Sequence, residues 1–323
     1  MKVSILGSGA YGCALATILN ENKNEVLLWT AFEKEAEEIS KTQESPKLPN
    51  IKLDKEIKIT TDLKEALTNK DLIIIAIPTA FLTDVTKKIK NYYQNTPICI
   101  ATKGIEQDSC LFASDVIQNI LKTDKIAVIS GPSFAIDIAN KAPVGLTLAC
   151  QDKETIDLVN LALSNNHFKL RKSPDIIGTQ ICGSVKNVIA ISAGILAGMN
   201  MTESTKAMLI TESLHDIKAL IKGLGGDGDT VLSYAGFGDL LLTATSPKSR
   251  NYYLGYLIGQ KTTKEEINNY IKNTTIEGLY TLKSISQLVK DKDVDMPIIN
   301  LMEKIIYHGQ NPESLINFLI KKP

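Results

Sequence analysis

The chain has 323 residues, long enough for two domains and a sizeable core, and its 44% apolar and 22% charged content is that of an ordinary globular protein. Lysine plus arginine equals aspartate plus glutamate at 36 each, so no overall field recruits nucleic acid or an anionic membrane, and any anion site has to be local. The five cysteines form no C-x-x-C pair and the three histidines lie far apart, which argues against a disulfide framework and a metal site and for a reducing, cytoplasmic setting.

Met1-Lys2 is followed by only a short apolar run, unlike a signal peptide. The first half then alternates β-branched runs with helical patterns. KVSILG, EVLLW, DLIIIAI, PICIAT and KIAVIS read as strands buried on both faces, and VGLTLAC and HFKLRKS extend the strand count to about residue 170. Between them AYGCALATILNE, LKEAL, FLTDVTKKIKNYY and LFASDVIQNILK have helical length and spacing. Such alternation predicts an α/β fold with a Rossmann-type doubly wound, mainly parallel sheet.

After Pro174 the character changes to long apolar and amphipathic segments with no convincing strand, so an all-helical C-terminal domain is expected. The division is placed at 1–178 and 179–323, with KSPDIIGTQ opening a helix that runs into the second domain. The longest uncharged stretch, Asn187–Thr202, is shorter than the roughly 20 apolar residues of a membrane span and reads as a buried helix. The Lys- and Asn-rich C-terminus, through LIKKP, reads as a solvated face.

Gly7-Ser8-Gly9-Ala10-Tyr11-Gly12 is a G-x-G-x-x-G set directly after the strand KVSIL and opening a helix. Gly7 allows a tight turn, Gly9 lets a pyrophosphate approach the backbone, and Gly12 permits close packing of helix on strand, while the helix N-terminus offers N–H groups to phosphates. This points to NAD or NADP. The acid expected about 20 residues on, at the end of the second strand, is missing: that end reads Trp29-Thr30-Ala31. Thr30 could hydrogen-bond either cofactor, so the preference stays open. No G-x-x-x-x-G-K-[ST] and no Tyr-x-x-x-Lys pair offers a competing nucleotide site.

Two isolated charges carry the chemistry. Lys186 is the only charged side chain between residues 176 and 202, and Asp239 the only one between residues 230 and 247. Desolvation disfavours an ammonium and a neighbouring carboxylate restores it, so the two together would make a proton donor and acceptor. The sequence does not show that they meet. Ser249-Arg250-Asn251 has the donors of an anion clamp. Lys103 in ATKGIE and Ser133 in SGPSFA fall at the carboxyl ends of strands, where open α/β sheets bind ligands. Jointly they describe a site for a small anionic carbonyl or alcohol.

GSGAYGCALA, ATKGIE, SGPSFA, GSVKNVIAISAGI, GFGDLLLTATSPKSRN and TIEGL, in that order over residues 1 to about 290, resemble the bacterial NAD(P)-dependent glycerol-3-phosphate dehydrogenases. The resemblance implies a C-terminal domain like that of 6-phosphogluconate dehydrogenase. It also implies reversible reduction of dihydroxyacetone phosphate to sn-glycerol 3-phosphate for phospholipid synthesis, by a homodimer with no integral membrane association. By the same resemblance Lys186 is the catalytic lysine, Lys103 and Asp239 contact substrate and support it, and Asn187 and Thr243 line the substrate pocket. Gly131, Ser133, Ser249, Arg250 and Asn251 bind substrate, with Arg250 the main phosphate ligand. Gly7, Gly9, Ala10, Tyr11, Gly12, Thr30, Ala31, Lys103, Ala135, Arg250, Thr275 and Glu277 fall at cofactor positions.

Three features depart from the family pattern. Ala31 stands where an Arg or His is usual, the lysine motif reads Gly-Ser-Val-Lys rather than Gly-Ala-Leu-Lys, and Glu212-Ser213 replaces Arg-Gly. The alternatives are a related 3-hydroxyacid-type dehydrogenase acting on another small acid, and a non-catalytic NAD(H)-binding redox sensor.

Overall fold

Runs of Ile, Val and Leu buried on both faces build an eight-stranded sheet in the first of two units of the chain, seen here in a computed structural model that describes residues 1–321. That unit comprises Met1–Lys103 and Leu111–Ile176; the second comprises Gly104–Cys110 and the chain from Ile177 onward. The division is therefore not a single cut, because the short stretch after Lys103 belongs with the helical unit. Lys322 and Pro323, the end of LIKKP, lie outside the described residues.

The strands are β1 (Lys2–Leu6), β2 (Glu25–Trp29), β5 (Lys58–Thr60), β6 (Leu72–Ile75), β7 (Ile98–Ile100), β8 (Ile126–Ser130), β9 (Val144–Cys150) and β10 (Phe168–Ser173), in the order β10-β9-β8-β7-β6-β1-β2-β5. A two-stranded antiparallel hairpin, β3 (Glu44–Ser45) with β4 (Leu48–Lys52), stands apart. Alternate residues feed opposite layers. Leu72 and Ile74 pack with α1 (Ala10–Glu21) on one face, while Ile73 and Ile75 pack on the other with α4 (Leu82–Ile89) and α5 (Ala113–Leu121).

Within the eight-stranded sheet every pairing is parallel except β8–β9. After β8 the chain turns on α6 (Ala135–Ala139), a five-residue helix that packs on α1, and re-enters the sheet in the opposite sense. β5, the hairpin, α2 (Glu33–Thr42), α6 and α7 (Lys153–Leu163) were not read from the sequence. β5, the hairpin and α6 are short and α2 is highly charged, so apolar periodicity is weak in those four; α2 buries only Glu35 and Ile39.

The second unit contains no strand among the described residues. Its centre is α8 (Ile176–Gly198), a 23-residue helix almost wholly buried. It has the length and apolarity of a membrane-crossing helix, but 94% of its most apolar window is buried within the chain, which makes it a core helix. Around it lie α9 (Glu203–Gly223), α10 (Asp239–Thr245), α11 (Arg250–Gly259), α12 (Lys264–Asn273), α13 (Glu277–Leu288), α14 (Pro297–Tyr307) and α15 (Ser314–Lys321). The buried carboxylate of Asp216 on α9 accepts the N–H groups of Ile298 and Ile299 at 2.7 and 3.0 Å and so caps α14.

Glycines set how α8 meets α11. A Cβ on Gly194 would lie 1.9 Å from the Tyr252 carbonyl oxygen, and one on Gly255 would lie 1.9 Å from that of Ile191. Gly198 and Gly259, four residues further along each helix, are equally confined. The two backbones are in direct contact, which fixes the N-terminal end of α11 against Asn187 on α8. Gly255→Ala should therefore overpack this contact and destabilise the protein by about 1–3 kcal/mol or more. Urea unfolding measures it, and an unchanged midpoint would contradict the packing.

Candidate active site

The first unit gathers its site residues where β1, β7 and β8 end. Gly7 has φ +123°, closed to side chains, and a Cβ there would lie 2.5 Å from the Ala76 carbonyl oxygen. A Cβ on Gly12 would lie 1.9 Å from the Gly7 carbonyl oxygen, whereas one on Gly9 would meet nothing within 4 Å. The first and third glycines are thus demanded by the fold, and the second stands on open space at the N-terminus of α1. The helix makes no side-chain cap there, and the N–H groups of Ala10, Tyr11 and Gly12 precede its first backbone bond, Cys13 N–H to Gly9. Open space above a helix N-terminus fits a dinucleotide pyrophosphate.

Beside this turn the Gly131 carbonyl collects donors. The Ser133 hydroxyl donates to it at 3.1 Å and the Lys103 ammonium at 3.4 Å. With the Ser133 proton so placed, the Tyr11 hydroxyl donates to Ser133 Oγ at 3.0 Å. Lys103 is held by its own backbone, whose carbonyl accepts from Thr79 Oγ1 at 2.7 Å. Ala135 is the first residue of α6. The structure therefore brings Tyr11, Lys103, Gly131 and Ser133 together.

At the end of β2 the Thr30 hydroxyl is already engaged. Thr30 is buried, and its hydroxyl donates to Glu35 Oε2 at 2.9 Å. Ala31, next along, is exposed.

In the second unit Lys186 and Asp239 do meet: Nζ donates to Oδ1 at 2.7 Å, with the residues 8% and 1% exposed. Asp239 is the first residue of α10, at the favourable end of the helix dipole for a carboxylate. It is delivered there by a π turn, Tyr234–Gly238, in which a Cβ on Gly236 would lie 2.1 Å from the Val231 carbonyl oxygen. The Thr243 hydroxyl donates back to the Asp239 carbonyl at 2.7 Å.

A second network joins residues that the sequence separates widely. Asn187 Nδ2 donates to Glu277 Oε2 at 3.1 Å, Asn251 Nδ2 donates to Asn187 Oδ1 at 3.0 Å, and the Gly278 N–H donates to Asn251 Oδ1 at 2.9 Å. The backbone N–H at one end can only donate and the carboxylate at the other can only accept. Both amides are therefore oriented unambiguously. The TIEGL motif has a physical reason here, since a Cβ on Gly278 would lie 2.8 Å from both the Asn187 carbonyl and Asn251 Oδ1. Thr275 is exposed and stands outside the network.

Ser249 is the N-cap of α11, its Oγ accepting from the Tyr252 N–H at 3.3 Å. Arg250 and Asn251 occupy the first turn, so an exposed guanidinium lies at a helix N-terminus. The Tyr270 hydroxyl donates to the Arg250 carbonyl at 3.2 Å. Burial pushes that phenol up while the nearby Arg250 charge opposes the rise. Among the described residues no group of His, Cys, Asp or Glu is arranged to hold a metal ion.

Residues 2–156 match the N-terminal domain, and residues 175–317 the C-terminal domain, of the NAD-dependent glycerol-3-phosphate dehydrogenases. The chain belongs to this family. A glycerol-3-phosphate dehydrogenase [NAD(P)+] of Fusobacterium nucleatum is 37% identical over 99% of this chain and 96% of its own length. One from Bacillus subtilis is 35% identical over 99% and 94%. A glycerol-3-phosphate dehydrogenase crystal structure from Coxiella burnetii superposes with a TM-score of 0.91 at 30% identity, covering 99% of both chains.

For a member of this family the buried ion pair has a measurable consequence. Asp239→Ala removes the carboxylate beside a buried ammonium and should destabilise the protein by about 3–5 kcal/mol. The double variant Lys186→Met/Asp239→Ala should lose less than the sum of Lys186→Met and Asp239→Ala made singly. Denaturant unfolding of the full cycle checks this, and strict additivity would argue against the pair.

Proposed function

We propose that the chain catalyses the reversible NAD(P)H-dependent reduction of dihydroxyacetone phosphate to sn-glycerol 3-phosphate, supplying glycerophospholipid synthesis. The observation that carries the reading is the Lys186–Asp239 pair, a buried ammonium and carboxylate 2.7 Å apart, each the single charge in its own stretch of sequence. When bound, the nicotinamide supplies or accepts the hydride. Protons and orientation have to come from the protein.

In this reading residues 1–178 hold the cofactor and residues 179–323 the substrate. Lys186, kept as an ammonium by Asp239, donates to the carbonyl oxygen as negative charge develops there and takes the proton back in the reverse direction. Lys103 is assigned to the substrate as a second cation, with Gly131 and Ser133 beside it. Arg250 and the α11 N-terminus hold the phosphate, with Ser249 shaping that turn. Asn251 gives one amide N–H to Asn187 and keeps the other for the phosphate. Anchoring the remote phosphate orients the reacting carbon with binding energy spent away from it. Thr243 braces Asp239, and Glu277 holds Asn187 in register. Ala10, Ala135, Thr275 and Ala31 remain assigned to the cofactor. A cytoplasmic location and a homodimeric assembly complete the reading and rest on the family resemblance.

Purified protein with dihydroxyacetone phosphate and reduced nicotinamide should oxidise the cofactor, followed by its near-ultraviolet absorbance. Lys186→Ala should lower kcat by about 10²–10⁴ with only a small change in cofactor affinity. Near-normal turnover would remove Lys186 from the chemistry. Arg250→Ala should raise KM for the phosphorylated substrate by about 10- to 100-fold, the loss of a charge-assisted contact of about 1.5–3 kcal/mol. An unchanged KM would place the phosphate elsewhere.

A further inference from the structure

Glu35 lies in the first turn of α2, just past the end of β2, yet only 8% of its surface is exposed. One carboxylate oxygen accepts the Thr30 hydroxyl at 2.9 Å. The other meets the Lys47 ammonium at 2.8 Å. Lys47 comes from the tight turn between β3 and β4 and is half exposed, its ammonium 5.8 Å above the centre of the exposed Phe32 ring. The three residues Thr30, Glu35 and Lys47 thus form one chain of contacts running from the buried end of β2 to the surface.

In a doubly wound sheet the end of the second strand is where the adenosine ribose of a dinucleotide is read. A carboxylate facing outward there accepts the ribose 2′-hydroxyl, and a cation facing outward there accepts a 2′-phosphate. This chain offers neither in simple form. Its carboxylate is buried and occupied, the Ala31 side chain carries no polar atom, and the ammonium of Lys47 is already matched by Glu35.

Resting on the dinucleotide-binding reading given above, we infer that Glu35 and Lys47 together set cofactor preference, Glu35 cancelling the charge of Lys47 so that NAD(H) is bound in preference to NADP(H). A 2′-phosphate brings about two further negative charges. With the Glu35 carboxylate 2.8 Å behind the Lys47 ammonium the phosphate gains little from that cation, and it has to be desolvated next to a carboxylate. An unphosphorylated ribose carries no such cost. The arrangement also predicts opposite signs for its two halves: removing the carboxylate releases a cation toward the phosphate, whereas removing the ammonium exposes a net negative charge to it.

The test is calorimetric titration of the intact protein with NADH and with NADPH, for wild type, Glu35→Gln, Lys47→Met and the double variant. Steady-state rates with both cofactors serve as a second readout. Glutamine keeps the shape of Glu35 and its acceptor for Thr30, and Lys47 is half exposed, so the variants are compatible with the fold; circular dichroism checks this. The wild type should bind NADH more tightly. Glu35→Gln should shift the affinity ratio toward NADPH by about five- to tenfold and Lys47→Met away from it, with the double variant close to wild type. These shifts should shrink at high salt, as surface charge effects do. Preference for NADPH in the wild type, or the same ratio in all four proteins, overturns the inference while leaving the dinucleotide reading intact. Failure to bind either cofactor overturns that reading, and the inference with it.

Discussion

An ammonium cannot be buried in a helix as apolar as α8 without a carboxylate beside it, and the helical unit is organised around that requirement. Lys186 has small or apolar neighbours at helical spacing, so nothing on its own helix can balance the charge. The balance comes from Asp239, 53 residues further along the chain. Bringing it there takes an irregular turn: the π segment Tyr234–Gly238 widens one turn at Gly236, where no side chain fits, and presents Asp239 at the head of α10. π segments recur at functional sites, and here the reason is a charge that has to reach one point in space.

Precision at the second cluster comes from backbone contact. Helices that touch through glycines have little freedom to slide, since every small shift meets a carbonyl oxygen. The contact of α8 with α11 therefore holds Asn187 and Asn251 within hydrogen-bonding distance. Glu277 and the Gly278 N–H then remove the remaining ambiguity in their amide orientation. A site that must orient a phosphate and a carbonyl together gains from side chains whose rotamers are decided in advance.

In the nucleotide-binding unit the three glycines of the first turn answer three different constraints. Gly7 is required by its dihedral angle and Gly12 by contact with Gly7, whereas Gly9 is required by nothing inside the protein. That last position is the informative one, because a glycine with open space beside it is explained by a ligand more readily than by the fold. The end of β2 shows the opposite situation, with Thr30 drawn inward by Glu35 and Lys47 reaching over from the hairpin.

The alternation of buried strands and helices, the glycine turn, the switch to an all-helical second half and the isolation of Lys186 and Asp239 were legible in the sequence. Each follows from local chemistry: apolar periodicity, the dihedral freedom of glycine, and the cost of a charge in apolar company. Donor chemistry pointed to Arg250 and Asn251, and family motifs extended that reading to Asn187 and Glu277. The tertiary structure alone decided that Lys186 meets Asp239, that Asn187 and Asn251 form one network with Glu277, that β9 runs antiparallel to β8, and that Thr30 faces Glu35 instead of solvent. These depend on residues brought together from distant parts of the chain, where neither period nor spacing carries a signal. A hydrogen bond across 90 residues, such as that of Asn187 to Glu277, leaves no mark in local sequence, because it is set by how helices pack and not by what either segment prefers.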